Sequence, residues 1–115
     1  KWNSRRAEIS RYYRENIKGV EFLKENSYGE SSNHLFVIKV KNRKKFMDYL
    51  RVNEISSLIH YPIPIHKQKA FLGQKNEFLQ ITEEFTKNIV SLPLYPELTD
   101  REIKKIVTIV SNYEK

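Results

Sequence analysis

Residues 59–71 read IHYPIPIHKQKAF. The run opens like a strand and then breaks its own pattern. It holds two of the chain's three histidines and two of its four prolines. Neither Pro62 nor Pro64 can donate a ladder hydrogen bond, so a strand over 55–59 cannot continue through a sheet centre. Each proline also pushes the residue before it, Tyr61 and Ile63, toward extended backbone. His60 and Tyr61 are therefore expected where a strand leaves a sheet and becomes a stiff loop. Polar groups on loops held by a rigid scaffold are frequent sites.

Working outward, residues 35–40, LFVIKV, are apolar, aromatic and β-branched, the composition of a strand. Asn42 is placed to cap a helix running to Arg51, with Phe46, Tyr49 and Leu50 on one face. Asn53 is the expected left-handed terminator of that helix. Toward the N-terminus, Ile9, Tyr13 and Ile17 recur at helical spacing and predict a helix over 3–18 that stops at Gly19. Residues 20–23 read as a short strand and 26–33 as a loop. Downstream, Thr82 is read as the cap of a short helix through Asn88, with Glu83 and Glu84 at its positive end. Residues 89–92 read as a strand stopped by Pro93. Thr99 and Glu102 form a capping box. Ile103, Ile106, Val107 and Val110 then make one apolar stripe. The order is that of an α/β domain.

A length of 115 residues bounds this to one ordinary domain, and 39% apolar residues suffice for a modest core. The chain has no cysteine, which removes disulfides and thiolate metal sites. No apolar run approaches the roughly 20 residues of a membrane span. The opening KWNSRRAEIS lacks the apolar core of a signal peptide and reads as chain already inside a helix. A cytoplasmic fragment of a longer protein is expected. The net charge of +7 is compatible with phosphate-bearing ligands. The dense basic cluster is Lys39, Lys41, Arg43, Lys44 and Lys45, either a solvated surface or a phosphate-facing patch.

Candidate chemistry is sparse. His60 and His66 lack the ligand count and spacing of a zinc site. Each is either a hydrogen-bonding group of the loop or a general acid or base. His34 is read as a strand-end hydrogen-bonding residue. Glycines 19, 29 and 73 stand alone, so no phosphate loop is present. The seven tyrosines show no interleaving with basic residues that marks a single-strand nucleic-acid platform. From the residues alone, the chain carries a loop site and no complete catalytic set.

Four segments, in order, carry a resemblance. They are Trp2-Asn3-Ser4-Arg5-Arg6, His34-Leu35-Phe36-Val37-Ile38, the whole of 59–71, and Ser91-Leu92-Pro93-Leu94-Tyr95-Pro96-Glu97-Leu98-Thr99. Together they resemble the C-terminal small domain of the pyridoxal-phosphate-dependent sugar aminotransferases of the DegT/StrS type, within the fold-type I aminotransferases. The resemblance covers essentially the whole chain. One departure is Glu54, where the family usually has glycine. The implied fold is a two-layer α+β domain with a small sheet of three to four strands packed with helices.

The implied activity, in a longer parent protein, is transfer of an amino group, with glutamate as donor, to a keto sugar on a nucleoside diphosphate. The cofactor lysine, its facing aspartate and the phosphate loop belong to a large domain outside these 115 residues. No cofactor and no transamination are therefore expected of this chain alone. The resemblance assigns His60, Tyr61, His66 and Gln68 to the wall of a sugar-nucleotide pocket, in a homodimer with sites at subunit contacts. Trp2, Tyr61 and Phe71 are the expected face toward the large domain. Two other readings stand beside this one: a stand-alone basic module binding nucleic acid, and a regulatory family member without transaminase activity.

Overall fold

A computed structural model of the chain describes residues 1–71 and 78–113. Gly73 lies outside them. The order is α1 (Trp2–Asn16), β1 (Glu21–Phe22), β2 (Phe36–Lys39), α2 (Arg43–Val52), α3 (Gln80–Asn88), β3 (Ile89–Leu92) and α4 (Asp100–Ser111). Two short 3-10 turns, Ile65–Lys67 and Lys69–Phe71, follow the proline-rich stretch. The sheet order is β1-β2-β3 and both pairings are antiparallel. This is the two-layer α+β domain, with three strands among the described residues.

Alternation along β2 explains how the layers meet. Phe36 and Ile38 are buried, while Val37 and Lys39 are half-buried. Successive strand residues point to opposite faces, so one face of β2 belongs to the core. That core joins Ile9, Tyr13 and Ile17 of the α1 segment to Phe46 and Leu50 of α2 and to Ile103, Ile106 and Val110 of α4. Burying each such side chain contributes about 1.5–3 kcal/mol, so the apolar stripes rather than helix propensity hold these elements. Tyr13 is fully buried and donates its hydroxyl to the Pro93 carbonyl at 3.1 Å.

The boundaries show where local signals prevail. Asn42 caps α2 by accepting from the Lys45 amide. Thr99 and Glu102 make the complete capping box of α4. Gly19 has φ +76, and a Cβ there would meet nothing within 4 Å, so its requirement is conformational rather than steric; it does not stop α1 as expected, because the helix already ends at Asn16 with Ile17 extended.

Three further expectations are corrected. Asn53 has φ −90 and is not left-handed; Glu54, with φ 61, takes that position. The predicted strand 55–59 is reduced to one bridge, Leu58 with Ser91. The Ile55 amide is held by the Leu50 carbonyl at the end of α2, and prolines follow, so only Leu58 reaches β3. Thr82 is not a cap: α3 begins at Gln80, and its N-cap, Leu79, makes no side-chain cap bond. Among the described residues, no helix is long and apolar enough to cross a membrane.

Candidate functional site

The proline-rich stretch leaves β3 through a reciprocal backbone pair. The Leu58 amide donates to Ser91 at 3.2 Å, and the Ser91 amide donates to Leu58 at 2.8 Å. Two residues on, His60 Nδ1 lies 2.9 Å from the buried Ser91 Oγ. One ring nitrogen of His60 is thus engaged by the scaffold. The peptide bond from His60 to Tyr61 is cis. The Tyr61 ring meets His60 edge-on at 5.8 Å and is 69% exposed. A cleft of about 240 Å³ opens beside this point, lined by His34, Ser57, His60, Ser91 and Tyr95 among others. His34 is exposed and, among the described residues, makes no side-chain hydrogen bond at the strand end where one was expected.

The far end of the stretch is tied to α3. His66 Nε2 lies 3.3 Å from Glu83 Oε1, and Lys67 Nζ pairs with Glu83 Oε2. Glu83 is buried, at 8% exposure. The Lys67 ammonium holds its carboxyl below the usual range, against the opposing effect of burial and with help from His66. Gln68 turns back on the loop, its Nε2 donating to the Ile63 carbonyl at 3.5 Å. The four assigned residues are therefore not gathered in one place. His60 sits in the cleft and Tyr61 projects beside it, whereas His66 and Gln68 brace the loop.

The basic cluster divides. Lys39 pairs with Glu84 at 3.0 Å and lies over the Phe85 ring at 4.8 Å, and Arg43 donates to the Thr86 carbonyl. These two fasten α3 to the sheet and α2. Lys41, Lys44 and Lys45 are exposed. Lys39 and Lys41 line a different cavity, and among the described residues no lysine or arginine lines the cleft at His60.

Chemically, the cleft offers hydrogen-bonding groups on an apolar wall, the usual make-up of a binding surface. Among the described residues, its lining holds neither a lysine amine for a Schiff base nor a carboxylate, so these residues do not fit a pyridoxal cofactor. Among the described residues, no cluster of three or more potential metal ligands occurs. Two residues have roles at the site that the sequence did not show: Ser91 and Glu83. The signal for Ser91 was a lone polar residue in the strand IVSL. For Glu83 the helix dipole offered a competing explanation.

Comparison with known proteins decides the family. The chain matches the model of the DegT/DnrJ/EryC1/StrS aminotransferase family over residues 1–111. It belongs to that family. This aminotransferase-family chain is 40% identical over 113 residues to a dTDP-3-amino-3,6-dideoxy-alpha-D-galactopyranose transaminase of Aneurinibacillus thermoaerophilus. The match covers 96% of the chain and 31% of that protein. It is 32% identical to a UDP-N-acetyl-3-dehydro-alpha-D-glucosamine 3-aminotransferase of Acidithiobacillus ferrooxidans, over 95% of the chain and 30% of that protein. The chain thus spans about a third of the length of these relatives. Among solved structures, S. venezuelae DesV in complex with a ketimine intermediate shares the fold at a TM-score of 0.89 and 24% identity. That likeness covers 99% of the chain and 32% of DesV. A family aminotransferase from Brucella abortus gives 0.86 at 26% identity, covering 97% of the chain and 31% of its own.

Proposed function

We propose that these residues are the C-terminal domain of a pyridoxal-phosphate-dependent aminotransferase. Its substrate is a keto sugar carried on a nucleoside diphosphate, and glutamate is the amino donor. The observation that carries this reading is the 40% identity, across nearly the whole chain, to a relative named as a dTDP-amino-sugar transaminase. The cofactor supplies the electron sink for amino transfer. Residues of the longer protein would hold it, since among the described residues the cleft lining has no lysine amine for it.

The domain's part is binding. Tyr61 is exposed next to His60, and its hydroxyl is read as a group for the ligand. His60 has one nitrogen on Ser91, which leaves Nε2 for a sugar hydroxyl or phosphate oxygen. His66 and Gln68 complete the wall from behind, by bracing the loop. The diphosphate would take its cations from elsewhere, because among the described residues no lysine or arginine lines the cleft. Trp2 and Tyr61 are exposed, while Phe71 is half-buried. Leu58, Ile63 and Ile65 of the same stretch as Tyr61 are exposed apolar side chains as well. In the whole protein this domain is read as part of a homodimer with pockets at subunit contacts.

The test is turnover by the whole protein, loaded with pyridoxal phosphate and glutamate and offered dTDP- and UDP-linked 3-keto sugars. Mass spectrometry is expected to show the amino sugar nucleotide, with 2-oxoglutarate formed in equal amount. Cofactor binding without amination of any of these sugars would favour a regulatory reading. That second reading has an observation behind it: a relative at 30% identity over 103 residues is named an erythromycin biosynthesis sensory transduction protein, from Saccharopolyspora erythraea.

A further inference from the structure

The stretch after Leu58 is an arch with two footings on one unit. At the first, Leu58 and His60 are held by Ser91 of β3. At the second, His66 and Lys67 are held by Glu83 of α3, the helix that runs directly into β3. Between the footings lie Tyr61, Pro62, Ile63 and Pro64, stiff in backbone and mostly exposed. Their backbone bonds are local: the Lys67 amide to Pro64 at 2.9 Å and the Gln68 amide to Ile65 at 3.0 Å. Among the described residues, Glu83 makes the only polar contacts from 61–68 to an α-helix or a strand.

Glu83 is not needed to hold α3 in place. Lys39 with Glu84, Arg43 with the Thr86 carbonyl, and the Val40 amide with the Asn88 carbonyl already do that. What Glu83 holds is the arch. A carboxylate suits the task, because it alone offers two acceptor oxygens to two donors from consecutive residues. Glutamine offers one acceptor oxygen, and alanine none.

We propose that Glu83 is a positioning residue for sugar-nucleotide binding: by gripping His66 and Lys67 it sets the arch so that Tyr61 and His60 meet the ligand together. This rests on the reading of 60–68 as a wall of the sugar-nucleotide pocket. Glu83 itself touches no ligand. Its removal is expected to weaken sugar binding and to leave the amino donor's binding, which the arch does not serve, little changed.

The experiment uses the whole protein with Glu83→Gln and Glu83→Ala, and reads two quantities. The first is KM for the dTDP-linked keto sugar against KM for glutamate. The second is hydrogen exchange at the Lys67 and Gln68 amides against the β3 amides. The expected result is a rise of about fivefold or more in sugar KM, with glutamate KM within about twofold. Exchange at Lys67 and Gln68 is expected to quicken about tenfold while β3 stays protected. An unchanged sugar KM would overturn the proposal. So would unchanged exchange in the arch, or arch and β3 quickening together, which is the mark of general destabilisation. A wild-type protein that aminates no nucleotide-linked sugar would sink the parent reading instead. Selective exchange at Lys67 and Gln68 would then still identify Glu83 as the latch of the arch.

Discussion

Glu83 shows how one residue type answers two different demands. Near a helix start, a carboxylate gains from the dipole. Here its side chain is turned instead to His66 and Lys67. It shares a titration behaviour with Asp100, which Arg5 holds at 2.8 Å, and with Glu54 and Glu102. All four carboxyls lie below their ordinary values of 4.5 for glutamate and 3.8 for aspartate. A depressed folded-state value means that the unfolded chain binds more protons as the pH falls. The stabilisation is therefore full above the ordinary values and is lost as the pH drops through the folded ones. The melting temperature is expected to stay level from pH 7 to about 5 and to fall steadily below about 4.5. A level melting temperature down to pH 3 would show that these pairs contribute nothing.

At the scale of elements, the sequence was read well where local chemistry agreed with packing. β2 was legible because LFVIKV is strand-like on both counts, and α4 because Thr99 and Glu102 cap a clean apolar stripe. Readings failed where an element's boundary, rather than the residue's own preference, settled the outcome. The strand expected over 55–59 gave way because the α2 terminus claims the Ile55 amide. Thr82 lost its capping role because α3 starts two residues earlier. Glu54 took the left-handed turn although Asn53 is the better left-handed residue, with Lys105 pairing to the Glu54 carboxylate at 2.9 Å. That pair is solvent-exposed and weak. Glu54→Gly is thus expected to raise the melting temperature on the order of 2–4 °C by relieving the left-handed backbone. A lowered melting temperature in the same scan would mean that the Lys105 pair matters more than the turn.

At the scale of the molecule, the site was half legible. The prolines of 59–71 marked where the chain leaves the sheet, and His60 and Tyr61 sit there. Their partners were not legible, because Ser91 and Glu83 lie far along the chain and meet the arch only in the folded state. Nor did the sequence show that the basic cluster and the cleft are separate surfaces. The picture we propose is a domain whose stiff, exposed arch walls a sugar-nucleotide pocket in the whole protein. Charge alone would have favoured nucleic acid, but Lys39 and Arg43 are committed to internal contacts.

The measurement that tests this picture most directly is sugar-nucleotide affinity in the whole protein carrying Tyr61→Ala. Tyr61 is 69% exposed and stands clear of the core, so its removal leaves the fold intact. If the arch walls the pocket, affinity for the dTDP-linked keto sugar falls about tenfold, the scale of one lost hydrogen bond or stacking contact. The glutamate half-reaction proceeds as before. Unchanged sugar affinity, with turnover intact, would place the pocket elsewhere and contradict the role given to the arch.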